Sequence, residues 1–567
     1  MAPERSPEPL LLVFGHDALA ERVCAELTAT AGHRVRVVWS LDAARVAAFR
    51  ALGASVTPLD ADSDESLIAA GVMEAASFLA LSDDDGLNLS TALRARALNG
   101  AIRVVLRQFN VTLGTKIEQS MPDCTALSLA AHSASTFGAS ALDPGCFFAL
   151  RFPQTTGAVV GFAEHVARDR GLSGLTVGQA EERLGARIVA LGMRRDPPSG
   201  AIISRDDDVV TFGRITECSV HRGPALAIAP AETRAVSAAP VSPAQRLIGA
   251  WHRVNPILRT FAVAAVVFFS ASYCFFHFAL GKTWTAAAFY VVETMTNVGF
   301  GEVQVTQRGP LITAAAITAM LGGIVFTSIF IGSVASALTR AQWIATQGLR
   351  RIRARRHVVI CGGGKIGAAV INLLTDAGKR VIVIEPHPDA DLVRRAQERD
   401  VDLLTGDASR DGALDMCDLG NASAVLALTN NDSTNLEIAL GARVRSPEVP
   451  LVVRMENASY ARATSKVFGI STFSPAALSA PAFAGLARFP GTRGRVRYAG
   501  EDHTIGQRTQ GSVPQRPPAE DCTALCVFRD GRIHMIHEFD EMRPFDVVLF
   551  AVPLSQFRPE TGAVSRA

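Results

Sequence analysis

Net charge is almost absent from this chain: 56 lysines and arginines stand against 54 aspartates and glutamates, a formal +2 over 567 residues. That balance gives no argument for nucleic acid, and no nucleic-acid partner is expected. Paired cysteines are missing as well. The nine cysteines (Cys24, Cys124, Cys146, Cys218, Cys274, Cys361, Cys417, Cys522, Cys526) are scattered, and the nearest two have no second His/Cys pair to complete a metal site. They read as buried free thiols in a reducing compartment, with no metal site expected. A signal peptide is not expected either. After the charged, Pro-rich Met1–Pro9 the apolar run is only Leu10–Phe14, too short for a signal core, which leaves the first domain in the cytosol. No constellation of catalytic acid and base follows any glycine turn, so no enzyme is expected. The most telling absence is of charge itself, from two long stretches.

Those stretches are Thr260–Gly281 and Pro310–Leu338. Each exceeds the roughly 20 residues that cross a bilayer's hydrocarbon, and soluble helices seldom run so long without charge. Arg246, Arg253 and Arg259 precede the first; Arg340, Arg350, Arg351, Arg353, Arg355 and Arg356 follow the second; the connection holds only Lys282 and Arg308. The excess of basic residues on both flanks predicts two spans with both termini cytoplasmic, a multi-pass protein of the cell membrane. Between the spans, Trp284–Met295 is apolar, of helical length and too short to cross. It predicts a re-entrant half-helix whose C-terminal dipole favours a cation.

That half-helix runs into Thr296-Asn297-Val298-Gly299-Phe300-Gly301-Glu302. Glycines alternating with larger residues let successive carbonyl oxygens turn toward one axis, where they replace an ion's water. The peptide resembles the selectivity filter of potassium channels, Thr-Thr-Val-Gly-Tyr-Gly-Asp, departing at Asn297, Phe300 and Glu302. The resemblance implies a tetramer, since four loops surround one ion. Carbonyls of Val298, Gly299 and Phe300 would then form the central rings, with Thr296 behind the filter and Asn297 at its inner end. Glu302 would add outer negative charge. Asn297 leaves two readings open, a potassium-selective pore and a nonselective monovalent cation pore. Gly322 and Gly323, midway along the second span, are either a bending point or close-packing positions.

The remainder is two soluble blocks of one plan. In the second, the strand His357–Cys361 runs into Gly362-Gly363-Gly364-Lys365-Ile366-Gly367, a helix reaches about Ala377, and a strand ends at Glu385. Strand, glycine turn, helix, strand and acid in this order form the dinucleotide-binding fingerprint of a Rossmann-like fold. The first block repeats it with altered letters. Asp17 stands where a glycine belongs and Trp39 where the other copy has Glu385, both acting against a nucleotide there. The repeat continues: Ala80–Asp85 parallels Ala427–Asp432, Asn88 matches Asn435, and Val104–Arg107 matches Leu451–Arg454. Asp83, Asp84 and Asp85 are a solvated acidic turn or, alternatively, ligands for a divalent cation.

This series resembles the RCK domain (regulator of potassium conductance) of Trk/Ktr-type uptake systems and gated potassium channels. The fold class expected is thus mixed: a two-span helical pore plus two α/β Rossmann-like RCK modules, each with a small α/β lobe. The domains are expected at 1–120 and 121–230 (first module and its lobe), 231–256 (linker) and 257–340 (pore). A basic linker at 341–356 precedes 357–475 and 476–567, the second module and its lobe. A pore placed between two modules departs from the family's pore-first order. The resemblance implies a ligand-gated potassium channel, a homotetramer in a lipid bilayer with eight modules, potassium ions passing, and an adenine nucleotide, NAD(H) or ATP/ADP, as gating ligand. The residues expected at that ligand are Gly362, Gly364, Lys365, Ile366, Gly367, Glu385, Asp407 and Arg454. A membrane-anchored NAD-dependent oxidoreductase is the remaining alternative, and it leaves the filter loop without a role.

Overall fold

The computed structural model describes residues 8–29, 33–61, 63–151, 159–215, 256–295, 309–346, 352–410, 412–509, 522–530, 532–535, 543 and 546–556. The chain divides into two units, residues 1–227 with 350–567, and residues 228–349.

The first unit holds two parallel six-stranded sheets. One runs Ser55–Thr57, Arg34–Val38, Leu10–Phe14, Ala75–Ala80, Arg103–Arg107, Cys124–Leu127; the other Asp402–Thr405, Val381–Glu385, His357–Cys361, Ala422–Ala427, Leu451–Arg454, Ser471–Phe473. Counted along each module, the order is 3-2-1-4-5-6 in both, the doubly wound arrangement in which ligands meet the carboxyl ends of the strands. The central strands LLLVF and HVVIC are buried throughout, as expected where helices cover both faces. The repeat read in the sequence is repeated in bonds. Asn88 Nδ2 donates to the carbonyls of Ser82 and Arg107, and Asn435 Nδ2 to those of Thr429 and Arg454. Each buried amide thus ties the ends of the fourth and fifth strands of its sheet.

After each sheet a helix of mostly small residues leaves its own module and packs on the other. Leu129–Leu142 lies on Lys365–Asp376, and Pro475–Leu486 lies on Ala18–Thr28. Alanine, serine and glycine let the backbones approach; a Cβ at Gly138 would stand 2.6 Å from a Leu373 methyl. Each exchange creates a shared core. Ala134 and Phe137 pack with Val358, Ile360 and Leu374, and Leu19, Val23 and Phe49 with Ala480 and Phe483. The lobes that follow are five-stranded antiparallel sheets, and they share a third core of Phe148, Phe162 and Phe212 with Tyr498, Leu525 and Leu549. Full burial of one such phenylalanine stabilises by roughly 2–3 kcal/mol, so three common cores make one body of the two halves. Cys24, Cys146 and Cys526 are built into these cores as free thiols, and Cys124, Cys361 and Cys417 are buried elsewhere in the modules; burial pushes Cys24 and Cys417 up to about 12 and leaves them inert at neutral pH.

The second unit contains the helices Pro256–Phe278, Trp284–Met295 and Pro310–Thr346, where two spans and a half-helix are expected. Phe276, Leu280, Ala287, Tyr290 and Val291 form a small core. Much of the remaining apolar surface is open, with Val266, Phe278, Leu311 and Ile331 each more than 60 % exposed. Among the described residues one helix, over Pro310–Ile329, is long and apolar enough to cross a membrane; in the other long helix the apolar segment described is Val266–Phe278. Gly322 sits against the Phe268 ring, where any Cβ would collide, and Gly323 is buried. At Gly322 the structure therefore shows a close-packing position. Thr296, Asn297, Val298, Gly299, Phe300, Gly301 and Glu302 lie outside the described residues.

Candidate functional site

The glycine turn of the second module has the geometry its letters require. Gly362 has φ +107°, and a Cβ there would lie 2.9 Å from Thr429 N and 3.0 Å from Leu428 C. Gly367 lies under the Gly362 carbonyl with no room for a side chain, which seats the helix against its strand. Gly364 caps the helix Lys365–Asp376 with no side-chain bond, and nothing lies within 4 Å of the place its Cβ would take. The first-turn amides are therefore free to receive an anion, reinforced by the helix dipole.

In the first module the same place is filled from within. Asp17 caps the helix Ala18–Thr28, accepting from the amides of Leu19 and Ala20 at 3.1 Å each, while its other oxygen meets Arg107 at 2.5 Å. A carboxylate of the chain thus occupies the anion position. Trp39, standing for the acid, stacks on His16 at 4.6 Å and lies tilted against Phe14 at 4.7 Å between ring centres. The positions that a phosphate and the acid would take are both occupied by the protein's own groups.

A cavity of about 770 Å³ opens above the second glycine turn. Gly362, Gly364, Lys365, Ile366, Glu385, Asp407 and Arg454 line it, as expected, whereas Gly367 serves the packing just described. Glu385 Oε2 accepts from Gly363 N at 2.7 Å and Oε1 from His387 N at 3.2 Å, which fixes the carboxylate beside the turn within reach of a ribose. Asp407 accepts from the amide and hydroxyl of Ser409, and these bonds hold its carboxyl below the usual range. Of the two roles open to Arg454, phosphate contact and pairing with an acid, the structure shows the second: it pairs with Glu456 at 3.2 Å.

The opposite wall belongs to the first module and was not legible in the sequence. Asp83, Asp85, Arg107, Phe109 and Ser128 line the same cavity, and Lys365 Nζ stands 5.2 Å from the centre of the Phe109 ring. The acidic turn is used structurally. Asp84 caps the helix Asp85–Leu98, and Asp85 accepts from Gln108 Nε2 and Phe109 N. No cluster among the described residues could hold a metal ion.

The TrkA-N domain matches the chain twice, over residues 11–120 and 358–474, the two doubly wound modules. The voltage-gated potassium channel Kch of Escherichia coli is 26% identical over 176 residues, 30% of this chain and 42% of that protein. A Trk system potassium uptake protein TrkA homolog of Methanothermobacter thermautotrophicus is 31% identical over 112 residues, 20% of this chain and 50% of its own length. The chain thus spans half or less of these curated relatives. The structure of the GsuK channel bound to NAD aligns with 98% of this chain and 78% of its own, with a TM-score of 0.50 and 14% identity. At that identity the likeness is one of fold. The parallel α/β sheets described above coincide with the two stretches that match the TrkA-N domain.

Proposed function

We propose that the chain is the subunit of a ligand-gated cation channel, potassium-selective or monovalent, whose gate responds to an adenine nucleotide in the second module. The observation that carries this reading is the order of helices in the second unit. A half-length helix, Trp284–Met295, ends where the filter-like peptide begins and stands between two longer apolar helices. The open apolar surface of those helices suits lipid and further copies of the chain. A second argument comes from topology. Residues before and after the membrane segment pack into one unit, which supports both flanks on one side of the bilayer and an even number of crossings between them. Kch and the TrkA homolog are by their names potassium proteins, and GsuK was solved with NAD; these support potassium as the ion and a dinucleotide as the ligand.

NAD(H) fits the second module's residues. Gly364, Lys365 and Ile366 would hold the pyrophosphate, and Glu385 would accept from ribose hydroxyls. Of the three bases lining the cavity, Arg107 and Arg454 are already paired with Asp17 and Glu456. One lysine and one helix terminus match the charge of a pyrophosphate better than that of a triphosphate. Four chains would bring eight modules together beneath one pore, and a ligand with unequal affinity for open and closed rings would shift the gate.

Purified protein in planar bilayers under mixed potassium and sodium gives the test. A reversal potential near that of potassium is expected. Equal permeability would assign the nonselective reading to Asn297, and no current under any nucleotide would refute the channel.

A further inference from the structure

The first module has plugged its own nucleotide position, yet it supplies half the wall of the other. We infer that this wall selects the ligand: Phe109, Asp83 and Asp85 admit a second nucleoside at the far end of the pyrophosphate and turn away a terminal phosphate. The inference rests on the nucleotide reading above and concerns residues outside the fingerprint.

The placement follows from the fold. With phosphates at Gly364–Ile366, one half of the cavity is bounded by Ile384, Glu385, Pro386, Asp407 and Ala408, beside the second and third strands, where an adenosine meets the acid. The other half lies over the fourth and fifth strands, the other side of the switch point, and faces the first module. The Lys365 ammonium over the Phe109 ring marks the seam between them. A ligand leaving the pyrophosphate on that side passes an aromatic face and then two carboxylates.

Charge decides what suits that half. A γ-phosphate would be placed toward Asp83 and Asp85. The base there, Arg107, is held through its Nη1 by Asp17 at 2.5 Å and by the Leu81 carbonyl at 2.9 Å, so its charge is already matched by a carboxylate of the chain. A nucleoside brings hydroxyls that donate to carboxylates and a ring that lies on Phe109, 38 % exposed. Of the two acids, Asp85 is committed to Gln108 and the Phe109 amide. Asp83 is exposed at the cavity edge, and it is the residue to change.

Binding of NAD⁺, ADP and ATP to the full chain in detergent, by titration calorimetry, tests this with Phe109→Ala, Asp83→Lys and Lys365→Ala. ADP carries the adenosine and diphosphate without the distal nucleoside and reports whether each variant keeps an intact site. Wild type is expected to prefer NAD⁺ to ATP. Phe109→Ala is expected to weaken NAD⁺ about tenfold and leave ADP unchanged, the scale of one lost stacking contact. Asp83→Lys is expected to tighten ATP about tenfold relative to ADP. If Phe109→Ala and Asp83→Lys shift all three ligands equally, or none, the selective wall is refuted while the nucleotide site stands. If Lys365→Ala also leaves all three unchanged, the nucleotide reading itself falls.

Discussion

Replacing Asp17 separates two jobs that one carboxylate performs. It caps the helix Ala18–Thr28 through two amides at 3.1 Å and pairs with Arg107 at 2.5 Å, the two side chains being 30% and 16% exposed. Loss of an N-cap costs about 1 kcal/mol. The ion pair, discounted for its partial exposure, adds roughly 1 kcal/mol more. Arg107 keeps its bond to the Leu81 carbonyl, so no orphaned charge enters the sum. Asp17→Ala should therefore lower local stability by about 2 kcal/mol, and Asp17→Asn, which can still cap, by about 1 kcal/mol. Hydrogen exchange followed by mass spectrometry reads this directly on the full chain. Peptides covering residues 18–28 should exchange about thirtyfold faster in the alanine variant and about fivefold faster in the asparagine one, at tenfold per 1.4 kcal/mol. Equal acceleration in both variants would refute the cap's share, and no acceleration in the asparagine variant would refute the ion pair's. No acceleration in either would refute the claim that Asp17 holds this site closed.

Three further outcomes are expected. Asp546 accepts from both arms of the Arg529 fork and from the Arg543 amide; Asp546→Asn should lower the thermal or urea midpoint of the lobe. Arg529 holds the Asp546 carboxyl below its ordinary 3.8; a depressed carboxylate stabilises fully above that value and ceases to as pH falls through the folded one, so wild type and variant should converge in acid below pH 3.8. His132 bridges the Ser479 hydroxyl and the Arg493 carbonyl, and burial lowers it from 6.5; the unfolded chain protonates first, so melting temperature should drop as pH falls below 6.5, and drop less in His132→Gln. Gly322→Val should overpack against Phe268 by about 1–3 kcal/mol, with Phe268→Ala restoring thermal stability in detergent; failure of the second change to rescue would refute the contact.

The doubly wound modules were legible because their signals are local. A buried strand feeding a glycine turn, and an asparagine at one offset in both copies, depend on neighbours within about twenty residues. The exchange of helices was not. Leu129–Leu142 is small and apolar on nearly every face, which announces burial without naming the partner, and its partner lies more than two hundred residues away. Asp17 illustrates the same limit at one residue. Its charge argued against a phosphate, but that it caps the helix and meets Arg107 depends on a contact between the ends of two strands. Arg454 differs from its counterpart for a local reason: Glu456 follows it two positions on, where the first module has Phe109.

The exchanged helices also constrain how the protein is made. The first module leaves the ribosome with Phe137, Phe148 and Phe162 on faces whose partners, from Val358 to Leu549, have yet to be translated. Between the two lies the whole second unit. Completion of the shared cores therefore waits until that unit has been made, and a chain that fails there is left with its cores unfilled. Its apolar faces then stay open to chaperones and proteases.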